Sequence, residues 1–397
     1  MKTLDLVYFN AGGGHRSAAT ALETIIRQQG RDWRVRPINL MEVLDPSDVF
    51  HKTTGMKPED LYNTRLAHGW SLGLAKELKL LQALIRLGHV SITARLRKYW
   101  RRTRPDMVVS LIPNFNRAMY AALEVARPGA PYVTILTDFA DLPPHFWIEP
   151  GQDQHFICGT EKAVAQAHAM GYDDAHVHAT SGMIIRPDFY VDDPTDRRRE
   201  LLHLNLDPDR PTGIVLFGGH GSRVMQTIAR RLPHTQLILV CGHNAALAER
   251  LSLMPAHAPR LVMGFTSKIR ELMRISDFFI GKPGPGSISE AIQQGLPVIV
   301  VRNTWTMPQE RYNTHWVDER RAGRVLESYK GIAAGVEDIV ARLPEFRANV
   351  ARIRNRAIFE IPDILDDILN SCHTRPASNY SRIGVHPRPT ESASPLI

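Results

Sequence analysis

The sequence predicts an α/β protein made of two doubly wound domains that face a central cleft. Its 397 residues exceed the roughly 250 to 300 residues at which a single hydrophobic core stops growing. Short apolar runs alternate with helical patterns in two separate series along the chain. Because 43% of the residues are hydrophobic and 23% are charged, the composition is that of an ordinary globular protein with enough apolar residues for two cores.

The first series of strands and helices fills the N-terminal half. Leu4–Phe9 predicts a buried strand, residues 10–14 a glycine turn, and Ser17–Gln29 an amphipathic helix. Met107–Leu111 and Tyr132–Leu136 are further apolar runs, typical of parallel strands that are covered on both faces. This half of the chain is therefore predicted to be α/β.

The second series begins after a polar, proline-punctuated stretch, residues 187–211, which we interpret as the interdomain connection. Beyond it, right-handed crossovers would join the apolar runs into a second doubly wound sheet. The predicted strands are Gly213–Phe217, Leu237–Cys241, Leu261–Phe265, Asp277–Ile280 and Leu296–Val301, and the predicted helices include Ser267–Ile275 and Ile288–Gln294.

These patterns divide the chain into five parts. They are an N-terminal domain over residues 1–190, a linker over 191–211, a C-terminal domain over 212–345, helices over 346–371 and a tail over 372–397. The tail is rich in Ser, Pro, Arg and Thr without a periodic apolar face, so we expect it to be disordered. Open α/β sheets bind ligands at the carboxyl ends of their strands, so the loops there are expected to carry the chemistry.

Charge and cysteine content limit the class of partner and the compartment. The formal net charge of +8 favours an anionic partner such as a membrane surface, a phosphorylated substrate or nucleic acid. Cys158, Cys241 and Cys372 form no CxxC pair, which suits a reducing cytoplasm. No stretch of ~18 apolar residues is present, so a membrane-spanning helix is not expected.

A glycine turn follows the first predicted strand and contains an ionisable side chain. Residues 10–16 lack both the GxGxxG spacing and the lysine of a P-loop, so neither of those nucleotide sites is indicated. Gly13 and Gly14 allow close approach of a substrate, and His15 could remove a proton from an attacking hydroxyl at neutral pH. The alternative is a histidine that only bonds the backbone at the start of a helix.

A second glycine loop follows a strand of the C-terminal half. In Gly281–Ser287, backbone amides and Lys282 are placed where a diphosphate could bind. Glu290 lies three residues after Ser287, which is the spacing of a helix capping box and is one interpretation of the pair. The other interpretation is that Glu290 accepts hydrogen bonds from the two hydroxyls of a ribose.

Two further loops are weaker candidates. Residues 308–313 offer amide and carboxylate groups suited to sugar hydroxyls, although a surface helix start has the same composition. Residues 218–222 join a strand to a helix, so the Gly219 amide is expected to face the cleft, whereas His220 is more consistent with a structural role.

Residues 74–104 combine a helical pattern with many cations and aromatic rings. Basic residues next to Trp and Tyr suit a segment that lies on an anionic membrane, and a core-packed helix with a solvated basic edge is the alternative. The residues assigned to membrane binding are Lys76, Lys79, Arg86, Arg97, Lys98, Trp100 and Arg101.

Taken together, these loops resemble the monogalactosyldiacylglycerol synthase and processive diacylglycerol glucosyltransferase family, whose GT-B fold has two Rossmann-like domains facing a central cleft. Residues 12–17, GGGHRS, are similar to the family's GGGHR-S/A turn. Residues 282–291, KPGPGSISEA, and 295–297, GLP, are similar to its K-x-G-x-x-T/S-x-x-E-A…G-L-P pattern. The departures are at residues 218–221, a less glycine-rich loop, and 307–308, where glycine is usual.

The resemblance implies an inverting transfer of galactose or glucose from a UDP-sugar to a membrane lipid, with diacylglycerol as the expected acceptor. His15 or a nearby carboxylate would activate the lipid hydroxyl, and Asp138 would orient or support the base. Family members use no bound metal, so no metal site and no cofactor are expected. The implied location is the cytoplasmic face of the cell membrane, on an anionic surface, without a nucleic-acid partner.

The resemblance also implies a set of donor contacts. Gly264 and Phe265 would read the uracil, Glu290 would hold the ribose, and Gln309 and Glu310 would hold the hexose. The implied donor-binding residues are Gly13, Gly14, Gly219, Gly264, Phe265, Lys282, Gly284, Gly286, Ser287, Glu290, Gln309, Glu310 and Asn313.

Two rival functions remain open at this point. A UDP-sugar 2-epimerase resembles the same architecture, but it needs no lipid acceptor and leaves the basic segment unexplained. A non-catalytic basic lipid-binding protein would explain the charge but not the paired glycine loops.

Overall fold

The structure is a computed structural model that describes residues 1–10, 13–45 and 82–374, with side chains as far as residue 371. The strands are β1 Lys2–Tyr8, β2 Trp33–Asn39, β3 Met107–Ser110, β4 Tyr132–Ile135, β5 His155–Cys158, β6 Val177–Ala179, β7 Thr212–Leu216, β8 Gln236–Val240, β9 Arg260–Met263, β10 Phe278–Gly281, β11 Val298–Val301 and β12 Gly323–Leu326.

Helices connect the strands throughout the described chain. They are α1 Gly14–Gln28, α2 Leu40–Leu44, α3 over residues 82–87, α4 His89–Thr103, α5 Asn116–Ala126, α6 Glu161–Ala169, α7 Arg197–His203, α8 Val224–Arg231, α9 Ala245–Ser252, α10 Ile269–Arg274, α11 Pro285–Gln293, α12 Arg311–Glu319, α13 Ile332–Ala341, α14 Leu343–Val350 and α15 Ala357–Thr374. Short 3₁₀ turns occupy Pro187–Tyr190, Pro308–Glu310 and Tyr329–Gly331.

The strands form two parallel six-stranded sheets. The first has the order β2-β1-β3-β4-β5-β6 and the second the order β12-β11-β10-β7-β8-β9. The central strands are buried along their whole length, as in Val298–Val301, because helices cover both faces of each sheet. The prediction of two doubly wound α/β domains is confirmed.

Strand order fixes where ligands can enter each sheet. In the first sheet, the order in which the chain adds strands reverses between β1 and β3. In the second sheet it reverses between β7 and β10. At such a switch point the loops leave in opposite directions and open a crevice at the carboxyl ends of the strands. The glycine turn before α1 follows β1, and the loop of Gly281–Ser287 follows β10, so both predicted glycine loops lie at switch points.

The C-terminal helix returns to the first domain. Ile358, Ile361 and Leu365 of α15 pack in one apolar cluster with Leu22 and Ile26 of α1. Arg31, after α1, also pairs with carboxylates of α15. The chain therefore crosses between the domains twice, once before α7 and once between α14 and α15.

The first crossing is more ordered than its composition indicates. Residues 187–211 contain a 3₁₀ turn and the helix α7. Asp196 caps α7, accepting a hydrogen bond from the Arg199 amide at 3.1 Å, which satisfies an amide that a helix start leaves without a partner. Arg197 is held by Asp277 of the second domain at 2.7 Å.

Candidate active site

His15 lies in a pocket lined by aromatic rings. Gly13 precedes α1 with a φ of 78°, which glycine adopts without strain, and His15 is the second residue of the helix. Its ring lies 5.2 Å from that of Phe9 and 6.0 Å from that of Trp147, and Nδ1 is 3.2 Å from the Thr137 hydroxyl. Burial lowers the pKa of His15 to about 4, so the imidazole is neutral at neutral pH.

Asp138 is the buried carboxylate of the same pocket. The indole Nε1 of Trp147 donates a hydrogen bond to Asp138 Oδ2 at 3.0 Å, so Trp147 contacts both His15 and Asp138. The pKa of Asp138 is raised to about 7, mainly by burial, while the Trp147 hydrogen bond and the positive charge of Lys282 act to lower it and the negative charge of Glu310 acts to raise it. Two side chains of the second domain thus act electrostatically on the first.

The loop after β10 forms the opposite wall of the cleft. It enters α11 at Pro285, and the first amides of a helix have no partner within it. Lys282 Nζ is 3.3 Å from Oε1 of Glu310, whose side chain is 8% exposed. Positive charge, helix amides and a carboxylate thus meet at one end of the cleft, an arrangement suited to an anionic ligand with hydroxyl groups.

Asn313 holds this loop in place through a hydrogen bond. Its side chain is fully buried, and Nδ2 donates to the Pro283 carbonyl at 2.7 Å. In this structure the loop itself covers the Asn313 amide nitrogen, and a direct contact between Asn313 and the donor stays a prediction. Gln309 is partly buried, with Nε2 against the Met307 sulfur at 3.6 Å.

Glu290 has no capping role. Gly284 is the residue before α11 and makes no side-chain cap, so Ser287 already lies inside the helix and the capping-box interpretation is wrong. The Glu290 side chain is 19% exposed, and Oε1 is 3.9 Å from Arg186 Nε. Burial raises the pKa of Glu290 to about 7.

A pair of stacked aromatic rings lies beside the loop of residues 218–222 in the C-terminal domain. The exposed ring of Phe265 stacks on His243 with centroids 4.3 Å apart and 13° between planes. Gly242 approaches so closely that a Cβ there would lie 2.1 Å from the Gly219 carbonyl oxygen. A Cβ on Gly264 would lie 3.5 Å from the Gly242 carbonyl oxygen, so the loops that carry Gly219 and Gly264 both border Gly242. Gly219 and Gly264 are both exposed.

The structure corrects the prediction for Trp100. Its side chain is 1% exposed, and Nε1 donates to Asp5 Oδ2 at 3.1 Å, so the assignment of Trp100 to membrane binding is wrong. Its indole fills the core beneath α4, where burial of apolar area outweighs an interfacial position. Lys76 and Lys79 lie outside the described residues. The four cations of the set that the structure describes are exposed: Arg86, Arg97, Lys98 and Arg101.

Removing the Trp100 indole is expected to destabilise the protein without changing vesicle binding. Trp100→Phe leaves the buried Asp5 carboxylate without its indole donor, so we expect a loss of ~1–3 kcal/mol in the free energy of unfolding. Chemical denaturation measures this loss. Trp305→Phe, at a ring that is 48% exposed, is the control and should change stability little. Equal stability of the two variants would contradict the buried role.

One residue that orders the loop of Trp147 was not predicted from the sequence. Asp141 is 1% exposed and accepts hydrogen bonds from the backbone amides of His145, Phe146 and Trp147 at 2.6 to 3.0 Å. It folds the loop that places Trp147 against His15. The only sequence signal was a second aspartate three residues after Asp138.

No three His, Cys, Asp or Glu side chains in the part of the chain that the structure describes are grouped so that they could hold a metal ion. Over the same residues, the helices are all too short or too polar to traverse a bilayer.

Two family profiles match the chain, one for each domain. The profile of monogalactosyldiacylglycerol (MGDG) synthase matches residues 15–184. That of the glycosyltransferase family 28 C-terminal domain matches residues 214–368. The first match begins at His15, and the second includes the loops around Lys282 and Glu310.

Curated relatives carry the same family name. A protein named monogalactosyldiacylglycerol synthase, chloroplastic, from Spinacia oleracea is 26% identical over 93% of this chain and 73% of its own length. Monogalactosyldiacylglycerol synthase 3, chloroplastic, from Arabidopsis thaliana is 26% identical over 94% of this chain and 81% of its own length.

Solved structures share the fold at low sequence identity. MurG of Acinetobacter baumannii is 12% identical, with a TM-score of 0.58 over 92% of this chain and all of that chain. HepE of Anabaena in complex with UDP is 14% identical, with a TM-score of 0.52 over 94% of this chain and all of that chain. The spinosyn forosaminyltransferase SpnP is 17% identical, with a TM-score of 0.56 over 93% of this chain and 99% of that chain. The resemblance read from the motifs is thus confirmed: residues 15–184 match the MGDG synthase model and residues 214–368 match the glycosyltransferase family 28 C-terminal model, on a GT-B fold of two Rossmann-like domains.

Proposed function

We propose that the protein transfers a hexose from a UDP-sugar to the hydroxyl of a membrane lipid, diacylglycerol in the first instance, with inversion at the anomeric carbon. The observation that carries the proposal is the convergence of two loops at one cleft. His15 and Asp138 stand on one wall, and the charges of Lys282 and Glu310 on the other wall reach Asp138. The galactolipid synthases among the relatives support the lipid acceptor.

The donor is proposed to bind the C-terminal wall. The first amides of α11 and Lys282 would neutralise the diphosphate, and the partly buried carboxylate of Glu290 would accept hydrogen bonds from the ribose hydroxyls. Glu310 would accept from hexose hydroxyls once Lys282 turns from its carboxylate toward the diphosphate. No metal ion is proposed, because these groups supply the charge that a leaving diphosphate requires.

The acceptor reacts at the N-terminal wall. The lipid hydroxyl oxygen bonds to C1 of the hexose, the bond from C1 to the UDP oxygen breaks on the opposite face, and UDP leaves. The hydroxyl proton passes to neutral His15. We propose that the ionised carboxylate of Asp138, which shares the contact with Trp147, stabilises the imidazolium and so raises the basicity of a ring whose pKa burial lowers.

Transfer from radiolabelled UDP-glucose and UDP-galactose to diacylglycerol in anionic liposomes tests the proposal. A labelled glycolipid, separated by chromatography, identifies both the reaction and the donor. Label that moves only to a free epimer would overturn the proposal in favour of a UDP-sugar 2-epimerase. Vesicle binding without any turnover would favour the non-catalytic lipid-binding protein.

Glu290→Ala is expected to weaken UDP binding by about tenfold or more, because a charged acceptor of two hydroxyl groups is lost. Isothermal titration with UDP measures the affinity, and thermal melting measures stability. Because Glu290 caps nothing, the melting temperature should stay close to that of the wild type. Glu249→Ala, at an exposed position of α9, is the control. Wild-type UDP affinity in Glu290→Ala would remove the ribose contact.

The exposed cations of α4 are proposed to hold the enzyme on an anionic membrane at the cytoplasmic face. Arg97, Lys98 and Arg101 are all exposed on this helix. Each cation near an anionic surface is worth ~1 kcal/mol, so replacing all three with Ala should weaken binding to vesicles rich in anionic lipid about a hundredfold.

Vesicle sedimentation at two salt concentrations measures this loss, since screening weakens a charge-driven contact. Arg230→Ala with Arg231→Ala on α8 is the control for loss of surface charge in the other domain. If the α4 variant bound anionic vesicles as the wild type does, the membrane contact would have to lie elsewhere.

A further inference from the structure

A cavity of about 250 Å³, separate from the proposed catalytic cleft, lies between the domains on the side where the chain crosses from one domain to the other. Gly182 and Met183 line it on the outward crossing, and residues 352–355 line it on the return. Ser289 and Trp316 of the second domain form part of its wall. We name it the hinge cavity. None of the proposed catalytic and donor-binding residues lines it.

The hinge cavity is positively charged. Among the described residues that line it are three arginines, Arg320, Arg352 and Arg354, and one carboxylate, that of Glu161. Arg320 lies 3.1 Å from Glu161, whose side chain is 91% exposed, and an ion pair so open to solvent contributes little. Within the part of the chain that the structure describes, the side chains of Arg352 and Arg354 have no hydrogen-bond or ion-pair partner.

The walls also contain apolar surface. Trp316 packs edge-on against Phe139 of the first domain with ring centroids 4.9 Å apart, and both rings line the cavity. Guanidinium groups bind phosphate oxygens through paired N–H donors, while the rings suit a short carbon chain. Drug-sized ligands occupy pockets of ~300–1,000 Å³, so the hinge cavity suits a smaller molecule.

We propose that the hinge cavity binds a small phosphate monoester, with the phosphate on Arg352 and Arg354 and the carbon part against Trp316. This site is additional to the proposed donor and acceptor sites. Because the cavity lies between the domains, ligand binding there would affect how the domains move. The two crossing segments touch there, since Asn355 Nδ2 donates to the Met183 carbonyl at 2.9 Å. A ligand that contacts both domains stabilises the domain arrangement in which it binds.

Calorimetric titration of the full-length protein with glycerol 3-phosphate, with and without UDP, tests the proposal. We expect saturable binding in both conditions, since UDP would occupy a different site, and no binding of glycerol. Arg352→Ala combined with Arg354→Ala should weaken glycerol 3-phosphate binding at least about tenfold, because two charged contacts are lost. Arg250→Ala, at an exposed arginine of α9, should bind as the wild type does.

A second arm separates a free ligand from a lipid headgroup. The same variants are sedimented with phosphatidylcholine vesicles that contain phosphatidylglycerol. Vesicle binding that depends on Arg352 and Arg354, without any binding of glycerol 3-phosphate, would overturn the proposal in favour of a membrane contact. Equal glycerol 3-phosphate affinity in the double variant, or no affinity in the wild type, would also overturn it. UDP affinity in the same titrations reports separately on the proposed donor site.

Discussion

Replacing His15 with Ala is expected to lower the rate of sugar transfer by about 10² to 10⁴-fold, the usual contribution of a positioned general base. The affinity for UDP should stay close to that of the wild type. His15 lies on the N-terminal wall with Thr137 and Trp147, whereas the residues proposed to hold the nucleotide lie on the C-terminal wall. A loss confined to turnover is therefore the expected signature.

Measuring transfer at saturating donor, together with a UDP titration, separates the two effects. His234→Ala is the matched control, because this histidine is exposed and stacks on His257 in the second domain. If His15→Ala lost UDP affinity and turnover in parallel, His15 would bind the donor rather than the acceptor proton. Wild-type turnover would remove His15 from the reaction altogether.

Glycine patterns and apolar runs were enough to predict the fold and the two principal loops. In both cases a run of apolar residues ends in a glycine turn and is followed by an amphipathic helix, which is the local signature of a βα unit. The edge strands β2, β6 and β12 and the strand β5 escaped prediction. Residues 33–39 alternate with arginines and contain Pro37, a composition that an edge strand tolerates but a central strand does not.

Contacts between distant parts of the chain could not be predicted from local pattern. Trp100 stands among cations in the sequence and looks interfacial, and only its bond to Asp5, 95 residues away, shows that it is buried. Likewise, the approach of Lys282 to Glu310 depends on how two loops of one sheet meet. Spacing along the chain carries no information about either distance.

The rate of transfer is expected to rise with pH through about 7, in step with the ionisation of Asp138. The carboxylate is neutral below its raised pKa and cannot stabilise the imidazolium, so the rate should fall about tenfold for each pH unit below this point. His15 contributes no break in this range. Its lowered pKa of about 4 keeps the ring neutral throughout.

Glu290 titrates in the same range, so the design must separate donor binding from the chemical step. We expect turnover at saturating donor to keep the pH dependence in Glu290→Gln, because saturation compensates for weaker ribose binding. A pH dependence that vanishes in this variant would assign the titration to Glu290. A flat profile in the wild-type enzyme would show that no ionisation of Asp138 is required.

Asp138→Asn provides the decisive comparison, since the amide keeps the shape of the side chain and its acceptor oxygen for Trp147 Nε1 but never ionises. The variant should lose about 10²-fold or more of the turnover at neutral pH, and the remaining rate should no longer rise through pH 7. Asp209→Asn, at an exposed carboxylate paired with Arg198, controls for loss of one negative charge. Asp138 supports the base only if the rate and its pH dependence are lost together; loss of rate with an unchanged pH profile would make Asp138 a packing residue of the Trp147 loop.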